Sequence, residues 1–99
     1  MTSISHIALS GMQAAQTQLE AAAHNIANLA TPGFHREKVD LSPQPGGGVS
    51  AAITRSDVEG GSLEADVVAQ LEAKNAFLAN LAVFKTGNKL VGALLDEKA

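Results

Sequence analysis

Residues 10–39, SGMQAAQTQLEAAAHNIANLATPGFHREKV, decide the fold because they join an alanine-rich helix to an abrupt turn. From Ala8 onward, apolar residues recur at alternating steps of four and three, which is the a/d repeat of a left-handed coiled coil. The residues of this row are Ala8, Met12, Ala15, Leu19, Ala22, Ile26 and Leu29. Alanines let a partner helix approach closely, while each larger residue contributes roughly 1.5–3 kcal/mol when fully buried. The pattern predicts helix pairing along this row.

The predicted first helix covers residues 3–30 and ends in a turn. Pro32 keeps the preceding Thr31 out of the α region, and Pro32-Gly33 fits the central positions of a type II turn. Within the helix, Gly11 costs roughly 1 kcal/mol relative to alanine. A close helix contact and a local fray point both explain a glycine at this position, and the sequence leaves the choice open.

A second helix is predicted over residues 63–97, with Ser62 as its N-cap. Glu64 and Asp66 lie in its first turn, where carboxylates interact favourably with the helix dipole. Its segment 76–84, AFLANLAVF, is apolar nearly all round, which is typical of a helix buried on several sides. One partner helix covers one row only, so the other rows are expected to meet further subunits. The residues predicted to serve pairing or assembly are Leu71, Phe77, Leu78, Asn80, Phe84, Val91, Leu94 and Leu95.

The connection between the helices contains residues 43–48, PQPGGG, which break regular structure. Residues 38–41 and 49–54 can pair as a small hairpin, but an isolated two-stranded ribbon is marginal in water. The predicted fold class is all-α: two long antiparallel helices in a coiled-coil-like hairpin, joined by an irregular Pro/Gly-rich segment with a short β-hairpin as an option. The expected units are an N-terminal helix and turn (1–33), a linker (34–61) and a C-terminal helix (62–99).

Composition excludes several classes of function. A net charge of −3 without a basic stripe argues against nucleic acid as a partner. The absence of cysteine excludes disulfides and leaves the compartment open. The first ten residues lack the charged n-region and the apolar h-region of a cleaved signal peptide, and no run approaches transmembrane length.

Catalytic and metal-binding motifs are also missing from the sequence. His24, His35 and Glu37 lie near the turn, but no HxxxH or HExxH spacing places two ligands on one helical face. No nucleophile elbow, P-loop or paired-carboxylate motif frames a serine, histidine or aspartate. The sequence therefore predicts no enzyme, no metal, no cofactor and no small-molecule substrate.

Two sets of motifs resemble bacterial flagellar rod and hook proteins, the axial family. SGMQAAQ, HNIAN and TPGFHREKV are similar to the N-terminal signature, in which NNIAN precedes a T-P-G-Y/F turn and a basic residue; His24 replaces the first Asn. The turn motif carried over comprises Asn25, Asn28, Thr31, Pro32, Gly33 and Phe34. Residues 66–80 and 81–96 resemble the C-terminal helix, with its A-Q-R-A-Y-x-A-N block and later L-L. The matching positions are Ala73, Ala76, Phe77, Ala79, Asn80, Leu94 and Leu95.

The resemblance implies a short rod-type subunit of the flagellar basal body, because hook and distal-rod relatives carry large β-rich domains between the helices. Such a subunit assembles with its own copies and other axial proteins into a hollow tube that transmits torque and conducts export. It passes the flagellar export apparatus without a cleaved signal peptide and lies in the periplasm-spanning rod. The competing hypothesis is a small coiled-coil adaptor or secretion chaperone that binds one partner helix in its apolar groove.

Overall fold

A computed structural model describes residues 4–98, with side chains up to residue 95. The elements follow in the order α1 (Ile4–Ala27), β1 (His35–Pro43), β2 (Val49–Glu59) and α2 (Leu63–Lys98). The two helices pack against each other in antiparallel orientation, and the β1–β2 hairpin packs on α1. The molecule is elongated, with extents of 63 × 24 × 13 Å. Neither helix, over the residues described, is long and apolar enough to cross a membrane.

The all-α prediction is wrong, although the predicted helical hairpin is present. β1 and β2 contain 9 and 11 residues and pair antiparallel in a register that runs from Glu37↔Arg55 to Pro43↔Val49. The hairpin forms because it is amphipathic and packs on a helix. Val39, Val49 and Ala51 share the face that is partly buried, while the alternate residues are exposed. Packing against α1 stabilises a ribbon that would be marginal alone.

The loop of the hairpin shows why the glycine run does not end regular structure. Gly46, Gly47 and Gly48 have φ values of 85°, 109° and 95°, which favour residues without a Cβ. The Gln44 N–H donates to the Gly48 carbonyl at 2.9 Å and closes the loop. The loop also lies on α1, because a Cβ at Gly47 would come within 2.8 Å of the Ile7 Cδ1. The sequence that was interpreted as a break is therefore a tight turn.

The helix ends differ slightly from the predicted ones. The predicted start at Ser3 lies outside the described residues, and α1 ends at Ala27 rather than at residue 30. Asn28 follows the last residue of the helix, and both its N–H and its Nδ2 donate to the His24 carbonyl, at 3.1 and 2.9 Å. α2 begins at Leu63, and the Ser62 hydroxyl accepts the Ala65 N–H at 3.4 Å as an N-cap.

The contact between the helices is built from small residues. Among the side chains that the structure describes, the buried apolar ones are all alanines: Ala8, Ala14, Ala15, Ala21, Ala22 and Ala73. A Cβ at Gly11 would come within 2.6 Å of the Asn80 Oδ1, and one at Gly87 within 2.8 Å of the Ser5 Oγ. The glycine in α1 is thus explained by a close helix contact and not by fraying.

Candidate assembly surface

In the row predicted on α1, burial depends on the size of the side chain. Its alanines Ala8, Ala15 and Ala22 are buried, whereas Met12 and Ile26 are only half-buried. Leu19 and Leu29 at its margin are 42% and 40% exposed. The small residues therefore make the intramolecular contact, and the large apolar residues lie along its edges.

On α2, the row that faces α1 has one residue every seventh position: Asp66, Ala73, Asn80 and Gly87. Contacts with α1 are seen along it at Asn25 with Asp66, at Gly11 with Asn80, and at Ser5 with Gly87. The Asn80 Nδ2 donates to the Ala76 carbonyl at 2.8 Å, which holds the amide against the glycine. Phe77 and Phe84 flank this row and are half-buried.

A second row of α2 lies largely outside the contact with α1. Leu71 and Leu78 each lie five residues after a member of the contact row, a rotation of about 140° at about 100° per residue. They are 56% and 49% exposed. This outward row is therefore about half-exposed, although Leu78 also borders α1 at a groove that Leu19 lines.

The C-terminal part of α2 extends past Ile4, the first residue of α1. Since Gly87 lies against Ile4 and Ser5, the following residues have no turn of α1 opposite them in the described part of the chain. The exposed large apolar residues of this overhang are Leu90, Val91, Leu94 and Leu95. An apolar groove of about 220 Å³ also opens beside the helix contact, between Leu19 on α1 and Phe77 and Leu78 on α2.

The turn motif connects α1 to β1. The Phe34 N–H donates to the Thr31 carbonyl at 3.3 Å across the exposed Pro32, and Gly33 has φ 74°, as a type II turn requires. The Thr31 hydroxyl donates to the Asn28 Oδ1 at 3.2 Å. The turn is thus tied to the last turn of α1.

Asn25 is 2% exposed and joins three elements. Its Oδ1 accepts the Glu37 N–H at 2.7 Å, and its Nδ2 donates to the Glu37 carbonyl at 3.0 Å and to the Asp66 Oδ1 at 3.3 Å. One amide therefore links the end of α1, the start of β1 and the first turns of α2.

Arg36 and Asp66 complete this polar cluster and were not predicted as partners. Asp66 is 1% exposed, and its Oδ1 accepts a charge-assisted hydrogen bond from the Arg36 Nη2. The buried side-chain atoms without a partner among the described residues are the Arg36 Nε and the Asp66 Oδ2. A donor and an acceptor are left over on the two paired side chains, so they are complementary: a side-on guanidinium–carboxylate pair would join them by its second hydrogen bond.

A signal for Asp66 was present in the sequence. The first-turn position predicted a carboxylate that interacts with the helix dipole, but Asp66 also begins the row of small and polar residues, one at every seventh position, that contacts α1. A carboxylate on a buried row needs a cation or several donors. Arg36, just after the turn, supplies that cation.

The histidines at the turn make structural contacts. The His24 Nε2 lies 3.5 Å from the Glu37 Oε1, and its ring centroid is 5.6 Å from that of Phe34. The His35 Nδ1 is 2.9 Å from the Ser56 carbonyl oxygen. Across the described residues, no group of three potential ligands is placed to hold a metal ion.

Residues 6–35 match the family model described as flagella basal body rod protein. The match covers most of α1, the turn and the first residue of β1, and it confirms the resemblance that the N-terminal motifs indicated. No curated protein matches the chain.

Proposed function

We propose that the chain is a structural subunit of the flagellar basal-body rod, because its residues 6–35 match the family model of such proteins. In this proposal the subunit assembles through α1 and α2 with its own copies and with other axial proteins. The product is a hollow tube that transmits torque and conducts export. The proposal assigns no catalytic role to any residue.

The observation that carries the proposal is the outward row of α2. Leu71 and Leu78 lie about 140° from the row that contacts α1, and they are 56% and 49% exposed, so the rest of the chain leaves about half of each side chain uncovered. Burying an exposed leucine contributes roughly 1.5–3 kcal/mol. In a rod assembly, neighbouring subunits would cover this row.

The overhang at the end of α2 supports the same proposal. Leu90, Val91, Leu94 and Leu95 continue the helix beyond the start of α1 and remain exposed. An exposed apolar patch of this kind marks an interaction site. In a tube of parallel subunits, the helices of an axially adjacent copy would cover it.

The location and the route of export are part of the proposal. We place the subunit in the periplasm-spanning rod of the basal body and expect it to pass the flagellar export apparatus without cleavage of a signal peptide. Family membership supports the basal-body location, and the other points rest on the architecture of such subunits.

An adaptor or secretion chaperone remains the second candidate. The groove beside Leu19, Phe77 and Leu78 favours it, because a single amphipathic helix could lie there. An adaptor forms a particle of fixed mass, either a dimer or a heterodimer. A rod subunit is monomeric when dilute and forms open-ended assemblies when concentrated.

Sedimentation of the purified chain over a wide range of concentration separates the two functions. We expect a mass that grows without a plateau, and tubes or filaments by electron microscopy. A plateau at a dimer would support the adaptor and contradict the rod subunit. The same coding sequence should also be tested for secretion through the flagellar apparatus with its N-terminus intact by mass spectrometry.

A further inference from the structure

A cleft of about 350 Å³ lies between β1 and the first turns of α2, over the surface of α1. Residues 36–40 form its strand side, and Asp66, Ala69 and Glu72 form its α2 side. Ala21 and Ala22 of α1 line it as well, so small side chains leave room above the helix. The cleft is on the hairpin side of α1, and the outward row of α2 does not contribute to it.

Backbone groups of β1 point away from β2 at every second residue. Both backbone groups of Glu37 bond the Asn25 amide, which places the Glu37↔Arg55 pair among the pairs without ladder hydrogen bonds. Because this pattern alternates, the N–H and C=O of Val39 and Leu41 also point outward. None of the described residues bonds them.

Asn25 already demonstrates strand-like pairing at this edge. Its Oδ1 accepts from the Glu37 N–H at 2.7 Å and its Nδ2 donates to the Glu37 carbonyl at 3.0 Å. This is the pair of bonds that one residue of an added antiparallel strand would make. The next outward-pointing N–H and C=O groups of β1 after those of Glu37 belong to Val39, which lines the cleft.

The charges of the cleft favour a cationic occupant. Four carboxylates line it, against two basic side chains: Glu37, Asp40, Asp66 and Glu72, against Arg36 and Lys38. Arg36 is paired with Asp66, so the remaining charge is acidic. Ala21 and Ala22 of α1 offer contacts to small apolar side chains of the occupant. In an extended segment, such side chains alternate with others that point to the opposite face.

We propose that the outer edge of β1 binds an extended, cationic segment of another polypeptide as a third strand. The backbone of the segment pairs with Val39 and Leu41, a small apolar residue faces Ala21 and Ala22, and lysine or arginine residues lie near Asp40 and Glu72. This site goes beyond the rod proposal, because it uses the hairpin edge and takes a strand of a different chain. It does not depend on assembly through the helices.

A fluorescent five-residue peptide that alternates lysine and valine, with blocked ends, is the probe, and anisotropy is the readout. The key variant is Val39→Pro, which removes an outward N–H while the ladder to β2 keeps its bonds. We expect Val39→Pro to weaken peptide binding roughly tenfold or more, since the hydrogen bond from the residue 39 N–H and the close approach of the peptide backbone to β1 are lost together. Ile53→Pro, with the same geometry on the outer edge of β2, is the matched control and should bind within about twofold of the unchanged protein.

Two further arms test the chemistry. A peptide that alternates glutamate and valine should not bind, and Glu72→Lys should weaken binding of the lysine peptide. A lysine peptide methylated at the backbone nitrogens that face β1 should lose binding to the unchanged protein, which tests the strand geometry even if Val39→Pro loses helix content.

Three results would overturn the proposal. The first is no binding of the lysine peptide to the unchanged chain. The second is equal binding of the methylated peptide, which would indicate attraction to surface charge alone. The third is a change in self-association of the chain on Val39→Pro without peptide, which would assign the cleft to contacts between copies. Failure of assembly through α2 would leave the peptide result unaffected, so the two proposals fail separately.

Discussion

Replacing Asn25 by alanine should destabilise the fold more than any other change at the turn. The side chain is buried and makes three hydrogen bonds, two to the Glu37 backbone and one to Asp66. Asn25→Ala removes all three without adding a clash. The end of α1, the start of β1 and the start of α2 lose their common link.

The magnitude follows from the groups left without partners. The Glu37 N–H and carbonyl are part-buried, so water reaches them in part, and each costs about 1 kcal/mol, the low end for an unpaired group. The lost bond to the Asp66 carboxylate adds about 1.5 kcal/mol, typical of a bond to a charged group. The loss is then about 3.5 kcal/mol out of a total of roughly 5–15 kcal/mol for a small domain.

Urea and thermal unfolding followed by circular dichroism, at a concentration where the chain is monomeric, measure this loss. We expect the Tm to fall by about 14–28 °C, at about 4–8 °C per kcal/mol for a domain of this size. The control is Asn28→Ala, whose side-chain bonds to His24 and Thr31 are exposed and should contribute less. A loss below about 0.5 kcal/mol for Asn25→Ala would refute the assigned role, since changes that small are typical of surface sites.

Four other substitutions test the helix contact and the ion pair. Gly11→Ala should destabilise by roughly 1–3 kcal/mol in urea unfolding, because the new Cβ would overlap the Asn80 amide, 2.6 Å away, despite alanine's better helix propensity. Ala15→Leu and Ala22→Leu should each lose a similar amount by overpacking the buried contact, and should impair assembly measured by sedimentation. Arg36→Met should destabilise by roughly 3 kcal/mol, because it leaves the Asp66 carboxylate buried and unpaired.

Each of these changes has a matched control. Gly92→Ala, where no atom lies within 4 Å of the new Cβ, should stabilise α2 by up to about 1 kcal/mol. Ala23→Leu, on the exposed side of α1, should be nearly neutral. The double variant Arg36→Met/Asp66→Leu should recover most of the loss of Arg36→Met. Equal effects in test and control would contradict the close contact, and a double variant no more stable than Arg36→Met would contradict the pairing.

The helices were predictable from the sequence because their signals are local. The a/d row of α1, the serine before Leu63 and the proline and glycine after Thr31 each act within a few residues. The hairpin was underestimated because its stability comes from α1, which lies far away in sequence. Val39 and Ala51 alternate correctly for a strand, but the alternation alone does not reveal what covers the apolar face.

The assembly residues remain predictions, and the structure divides them into groups. Ala8, Ala15 and Ala22 are used within the chain, whereas Leu71 and Leu78 are left outside. The row that α1 covers could have been identified from the series of small and polar residues at steps of seven beginning at Asp66. The partner of Asp66 could not, since the turn geometry decides where Arg36 lies.

The central claim is that the outward row of α2 is an intersubunit surface, and sedimentation of Leu71→Ser/Leu78→Ser tests it most directly. Circular dichroism on the same samples reports folding, and Phe77→Ser/Phe84→Ser, which alters the half-buried row, is the comparison. We predict that the unchanged chain associates with rising concentration, that Leu71→Ser/Leu78→Ser remains monomeric with its helix content intact, and that the phenylalanine variant loses stability. A leucine variant that unfolds, or that associates like the unchanged chain, would contradict the claim.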